Sequence, residues 1–187
     1  MSNDVTFDYQ HTCKKSQPAY LKYNAPFKSV KVENHVPFLG EGYYFWEENQ
    51  VAADRWGIIH YKNNYSVVEY KDWTIRGDEM LNFLNRRDSN YFNDLKNKFI
   101  IKNPNSKKWF LAQWIEFFKS LKIKNPEIFP YLILRADEYL PDGKENDEIR
   151  QKISLSAKGY YSYTNPLIII CVIDKNNINC TSKSILK

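Results

Sequence analysis

The stretch Leu39-Gly40-Glu41-Gly42-Tyr43-Tyr44-Phe45-Trp46-Glu47-Glu48, continuing through Ala52-Ala53-Asp54-Arg55-Trp56-Gly57, decides how the rest of the chain is read. Two glycines one residue apart let the backbone take positive φ and come close to a ligand. Four aromatic residues in a row, Tyr43 to Trp46, then favour an extended strand. Asn49 is placed to cap the helix that follows, on which Val51, Ala52, Trp56 and Ile59 fall on one face and the paired alanines permit tight packing. The expectation is a close-approach turn, a ring-rich strand and a helix, in that order.

A chain of 187 residues suits a single domain, 1–187, with a real core, and 14 Tyr, 11 Phe and 5 Trp supply large rings to fill it. The formal net charge of +5 favours an anionic partner, although a basic surface spread evenly in solvent gives the same figure. Cys13, Cys171 and Cys180 have no metal-like C-x-x-C spacing and read as free thiols of a reducing compartment. Met1 to Asp8 carries two acids and no apolar run, and Leu167 to Val172 is too short to span a bilayer; a cytoplasmic protein with no membrane partner is expected. There is no Walker-type phosphate loop, no G-x-S-x-G and no H-E-x-x-H, and three histidines far apart give no support for a metal site.

The pattern Gly40-x-Gly42-x-Tyr44-Phe45, followed by a helix with Ala and Trp, resembles the central motif of the ADP-ribosyltransferase superfamily. The likeness is greatest to small bacterial members of the branch related to diphtheria toxin and the poly-ADP-ribose polymerases. It implies an α+β fold with a split β-sheet core and flanking helices, and NAD as a substrate. In that pattern Tyr44 stacks on nicotinamide, Tyr43 and Phe45 belong to the NAD-binding strand, and the Gly40 to Gly42 turn brings backbone groups to the ligand.

Upstream, Val5 to Gln10 suits a first strand ended by His11-Thr12-Cys13, and Ser16 a cap for a short helix that Pro26 stops. The family's text at this place is Tyr-His-Gly-Thr, whereas this chain has Tyr9-Gln10-His11-Thr12, so the His-Gly pair is broken. The family's His bonds an NAD ribose hydroxyl. Here that role falls to His11 with a one-residue shift, or to Gln10, which offers both a donor and an acceptor, with Thr12 beside them. His35 is a weaker substitute, in a loop from Ser29 to Phe38 that could cover the nicotinamide end.

Transfer of ADP-ribose develops positive charge on the ribose, which calls for a carboxylate aimed at the sugar. Glu138 is the first candidate, because Asp137-Glu138-Tyr139 ends an expected strand in the way the eukaryotic relatives place a Glu-Tyr. Glu47 and Glu48 come second, and Glu145 and Glu148 lie in a polar loop. The relatives often carry Gln or Glu near the start of the closing strand, where this chain has the apolar Leu167 to Ile169. The resemblance therefore implies transfer of a single ADP-ribose by a bacterial toxin or defence effector, held by an antitoxin protein or acting alone. NAD, a nucleic acid or an acidic protein would each meet the positive charge, and nucleic acid or protein is the acceptor. The alternative is a catalytically inactive module of the same fold that binds nucleic acid or a partner protein.

Elsewhere, Tyr65 to Arg76 alternates as a partly exposed strand, Asp78 to Leu84 suits a short helix or an extended piece, and Asp88 or Ser89 opens a helix. Ser106 is placed to cap a strongly amphipathic helix through Phe110, Trp114, Phe117, Phe118 and Leu121. Ile128 to Leu134 suits a strand, Leu167 to Ile173 a central strand buried on both faces, and the basic tail from Lys183 a frayed end.

Overall fold

The computed structural model describes residues 4–33, 36–138 and 166–187, with the backbone of 152–154 and 161–163. His35, Tyr139, Glu145 and Glu148 lie outside the described residues. The fold is α+β, with a mixed seven-stranded sheet and four α-helices among the described residues. In chain order these are β1 (Val5–Lys14), α1 (Pro18–Asn24), β2 (Tyr43–Glu47), α2 (Gln50–Tyr61), β3 (Tyr65–Ile75), β4 (Met80–Asn82), α3 (Arg86–Lys102) and α4 (Leu111–Lys122). There follow β5 (Ile133–Asp137), a separate ribbon of β6 (Lys152–Ser154) with β7 (Tyr161–Tyr163), then β8 (Ile168–Val172) and β9 (Ser182–Ile185).

The sheet runs β4-β5-β8-β2-β1-β3-β9, with β4 and β5 parallel and every other pair antiparallel. Side chains alternate across it, so each face collects its own core. On one face α2, α3 and α4 bring Ala52, Ala53, Phe92, Trp114 and Phe118 onto Trp46, Leu134 and Ile169. On the other, Leu21 of α1 packs with Tyr9, Phe45, Tyr70, Trp73 and Ile170. β8 is central and apolar on both faces, as its sequence requires.

Several elements depart from the sequence expectation, each because a neighbouring strand or helix overrides local preference. β1 continues through His11 to Lys14, since β3 pairs with it as far as Lys14↔Tyr65. β3 is largely buried, because it lies between β1 and β9 instead of at an edge. The tail does not fray: Ser182–Ile185 pairs with β3 as the edge strand. Met80–Asn82 takes the extended one of its two expected forms, beside β5, whereas β5 begins only at Ile133, after a 3-10 turn at Pro126–Ile128.

Helix ends differ too. Asn49 does cap α2, accepting from the Ala52 N–H at 2.9 Å. The buried face of α2 is Ala52, Ala53 and Gly57, whereas Val51 and Ile59 are 64% and 56% exposed. A Cβ on Gly57 would stand 2.3 Å from the Tyr65 ring, so close packing on β3 selects the small face over the large one. α3 starts at Arg86 under an Asn85 cap, and Ser106 sits in a separate 3-10 turn ahead of α4.

Candidate active site

β1 and β2 pair through backbone at two positions, Tyr9↔Glu47 and Gln10↔Trp46. Beyond them a side chain replaces the backbone ladder. His11 Nδ1 donates to the Tyr44 carbonyl at 2.9 Å, and its Nε2 accepts the Phe27 N–H at 3.1 Å, which fixes the Nδ1–H tautomer. Burial away from water lowers its pKa to about 4, and the fields of Lys175 and Lys183 push the same way. His11 is thus a neutral clamp that holds β2 to the segment after α1.

Where the two strands part, a cleft of about 840 Å³ opens, within the range of roughly 300–1,000 Å³ usual for small-molecule sites. His11, Thr12 and Cys13 of β1 line one side of it, and Tyr44, Trp46 and Ile169 come from the central strands. Trp56 and Tyr61 of α2 add two more rings, and Phe27, Val30, Phe38 and Glu138 complete the lining. Lys14, Lys15 and Lys28 stand at its edge.

Tyr44 is held at its far end. Its hydroxyl donates to the Gly40 carbonyl at 2.6 Å and accepts the Leu39 N–H at 2.8 Å, and burial drives its pKa well above the usual phenol range. Both bonds go to the turn that precedes β2, so the ring is fixed within its own hairpin of chain. Leu39 to Gly42 is itself clamped by α4: Glu116 accepts the Glu41 N–H at 2.6 Å, and Lys119 donates to both the Glu41 carbonyl and Glu116.

The two glycines of the motif serve packing. Gly40 has φ +79°, and a Cβ there would lie 2.3 Å from Glu116 Oε1. A Cβ on Gly42 would lie 2.4 Å from Cys171 Sγ and 2.7 Å from the Val172 carbonyl oxygen. The close approach expected of this turn is therefore made to α4 and β8, which seat Tyr44, and neither glycine borders the cleft.

Glu138 follows directly on β5, whose end is locked to the start of β8. The Glu138 N–H donates to the Leu167 carbonyl at 2.8 Å, and Asp137 Oδ1 accepts the Leu167 N–H at 3.1 Å. Ala136 pairs with Ile169 and Ile169 with Trp46, and alternation puts Glu138 on the same face as all three. This is how a carboxylate two strands away from Tyr44 reaches its cleft.

Of the other expected site residues, Thr12 lines the cleft and the rest are placed elsewhere. Glu47 points to the opposite face, where Arg135 grips it through two bonds of 2.7 and 2.5 Å; the pair is 5% and 12% exposed. Its carboxylate is committed to that ion pair, which in turn raises the Arg135 pKa. Tyr43 and Phe45 face the second core, and Gln10, on the α2 face of the sheet, accepts the Asn49 N–H at 2.9 Å. Thr12 lines the cleft with its hydroxyl donated to the Ala53 carbonyl at 2.8 Å. Cys13 is buried, and desolvation pushes its thiol up to about 11, which leaves no ready nucleophile beside His11.

Sequence reasoning did not single out Trp56, Ile169, Phe27 or the lysine edge as parts of this site. The dibasic Lys14-Lys15 at the end of β1 was a visible signal. The α4 clamp had none, since Glu116 lies 75 residues from the Glu41 amide that it holds. Comparison with protein-family models, with curated proteins and with solved structures returns no match for this chain.

Proposed function

We propose that this chain is an NAD-dependent mono-ADP-ribosyltransferase. The observation that carries the proposal is that the pinned Tyr44 and Glu138 both line one ring-rich cleft that lysines also border. Rings stack the flat ends of a dinucleotide, lysines suit its diphosphate, and the volume is adequate for it. Tyr44 is the platform for nicotinamide, and Glu138 faces the ribose on which positive charge develops. The nucleophile forms its bond to the anomeric carbon as the bond to nicotinamide breaks; the electron pair leaves with neutral nicotinamide, and the proton of the nucleophile passes to Glu138.

One departure follows from His11. With both ring nitrogens engaged by backbone, it acts by holding the cleft open between β1 and β2, and leaves the ribose hydroxyls to other groups. The same observation favours the second reading, a non-catalytic module on this scaffold, as does apolar Ile169 in the cleft near the start of β8. Incubation of the purified chain with labelled NAD and a cell lysate separates the two. Wild type should transfer label and release nicotinamide, and Tyr44→Ala should do neither while keeping its circular-dichroism spectrum. Transfer undiminished in that variant sinks the site; intact NAD with wild type leaves the binding module.

A further inference from the structure

The outer surface of α1 and the segment leading into it carries cations without counter-charges. Lys14, Lys15 and Lys22 are exposed and make no ion pair among the described residues, whereas Lys28 is answered by Glu41 at 3.6 Å. Lys175 and Lys183 arrive from the far end of the chain at the C-terminal end of the same helix. They donate to the Asn24 and Ala25 carbonyls at 2.6 and 3.0 Å and make no ion pair among the described residues; burial first, and then the charge of Lys183, lowers the Lys175 pKa. Like charges gathered at one place repel, and a fold that keeps them there without acids presents a site for an anion.

Rings stand among these charges. Tyr20 is 50% exposed and stacks on Phe27 at 6.1 Å and 15°, which presents its outer side to solvent. Tyr23, three residues on, is 80% exposed. Tyr20, Lys14 and Lys15 also line the cleft that holds Tyr44 and Glu138, so the charged surface runs into the reaction space. A cationic track with stacking rings that leads to a pocket matches unpaired bases on a phosphate backbone; an acidic peptide would use the lysines and leave the tyrosines idle.

We infer that the acceptor is a single-stranded nucleic acid, which lays its phosphates along Lys14, Lys15, Lys22, Lys175 and Lys183, stacks bases on Tyr20 and Tyr23, and delivers one base into the cleft. This rests on the transferase reading for its chemistry. A base nitrogen bonds to the anomeric carbon of the nicotinamide ribose, nicotinamide leaves with the electron pair of the broken bond, and the proton of that nitrogen goes to Glu138. The docking itself does not depend on NAD.

Fluorescence anisotropy with a labelled mixed-sequence 12-nucleotide DNA and its RNA equivalent, at 50 and 200 mM salt, tests the docking on the full chain. Binding should weaken steeply with salt, Lys22→Glu should flatten that dependence, and Tyr23→Ala should weaken binding about tenfold or more. Neither residue lines the cleft, so without oligonucleotide both variants should hydrolyse NAD, with water bonding to the anomeric carbon in place of the acceptor, at the wild-type rate. No binding at 50 mM salt, binding indifferent to both substitutions, or a duplex that competes equally well overturns the inference. Label passing from NAD to lysate protein with no oligonucleotide bound also overturns it, and leaves the transferase reading in place. Oligonucleotide binding that needs Lys22 and Tyr23 while NAD stays intact upholds the docking surface, and the transferase reading falls.

Discussion

Glu47 and Glu138 stand at neighbouring ends of the central sheet, yet they live in opposite surroundings. Glu47 lies on the face that packs Tyr9, Phe45 and Trp73, and is closed off with Arg135. Glu138 lies on the face of Trp46 and Ile169, where the cleft opens to solvent. Alternation along β2 draws the same line through four consecutive rings: Tyr44 and Trp46 border the cleft, while Tyr43 and Phe45 belong to the core behind it. A carboxylate or a ring in this molecule is defined less by its type than by the parity of its position.

The sharpest way to break the comparison is to remove each acid. Glu47→Ala leaves the Arg135 guanidinium buried without its partner, which should cost about 3–5 kcal/mol and lower Tm by roughly 10 °C in thermal unfolding. A shift of a degree or two would show that water reaches this pair. His11 gives the next effect, through pH. Its folded pKa of about 4 lies below the ordinary value of 6.5, so between these pH values the unfolded chain binds the extra proton. Stability is fully present above pH 6.5 and is lost as pH falls toward 4, by about 3 kcal/mol in all. Chemical denaturation across that range, compared with His11→Gln, checks it; an equal loss in the variant would assign the effect to other groups. Glu138→Gln keeps the size of the side chain and its backbone bond to Leu167, and is read through activity. Its transfer rate should fall at least tenfold with little change in NAD affinity.

The parts of the site that were legible in sequence were those made by neighbours in the chain. Tyr44 and its Gly40 turn lie four residues apart, so the motif contains both the ring and the backbone that pins it. Glu138 was placed from the end of a strand, and a strand end is a local property. Sequence ranked Glu138 ahead of Glu47 but could not show that Glu47 is committed to an ion pair, since its bidentate partner comes from 88 residues away. For His11 the residue was legible and its task was not: the decisive bonds come from Tyr44 and Phe27, which only the paired strands bring to its two nitrogens.

By itself the sequence determined the period-two strand of four rings, the Asn49 cap, the doubly buried β8 and the Gly40 turn, because propensity, capping and alternation act within a few residues. Tertiary structure alone decided which face of β2 became a cleft. It also drew the C-terminal tail into the sheet and gathered Lys175 and Lys183 beside α1. These outcomes depend on contacts between segments far apart in the chain, where packing and the pairing of buried polar groups outweigh local preference.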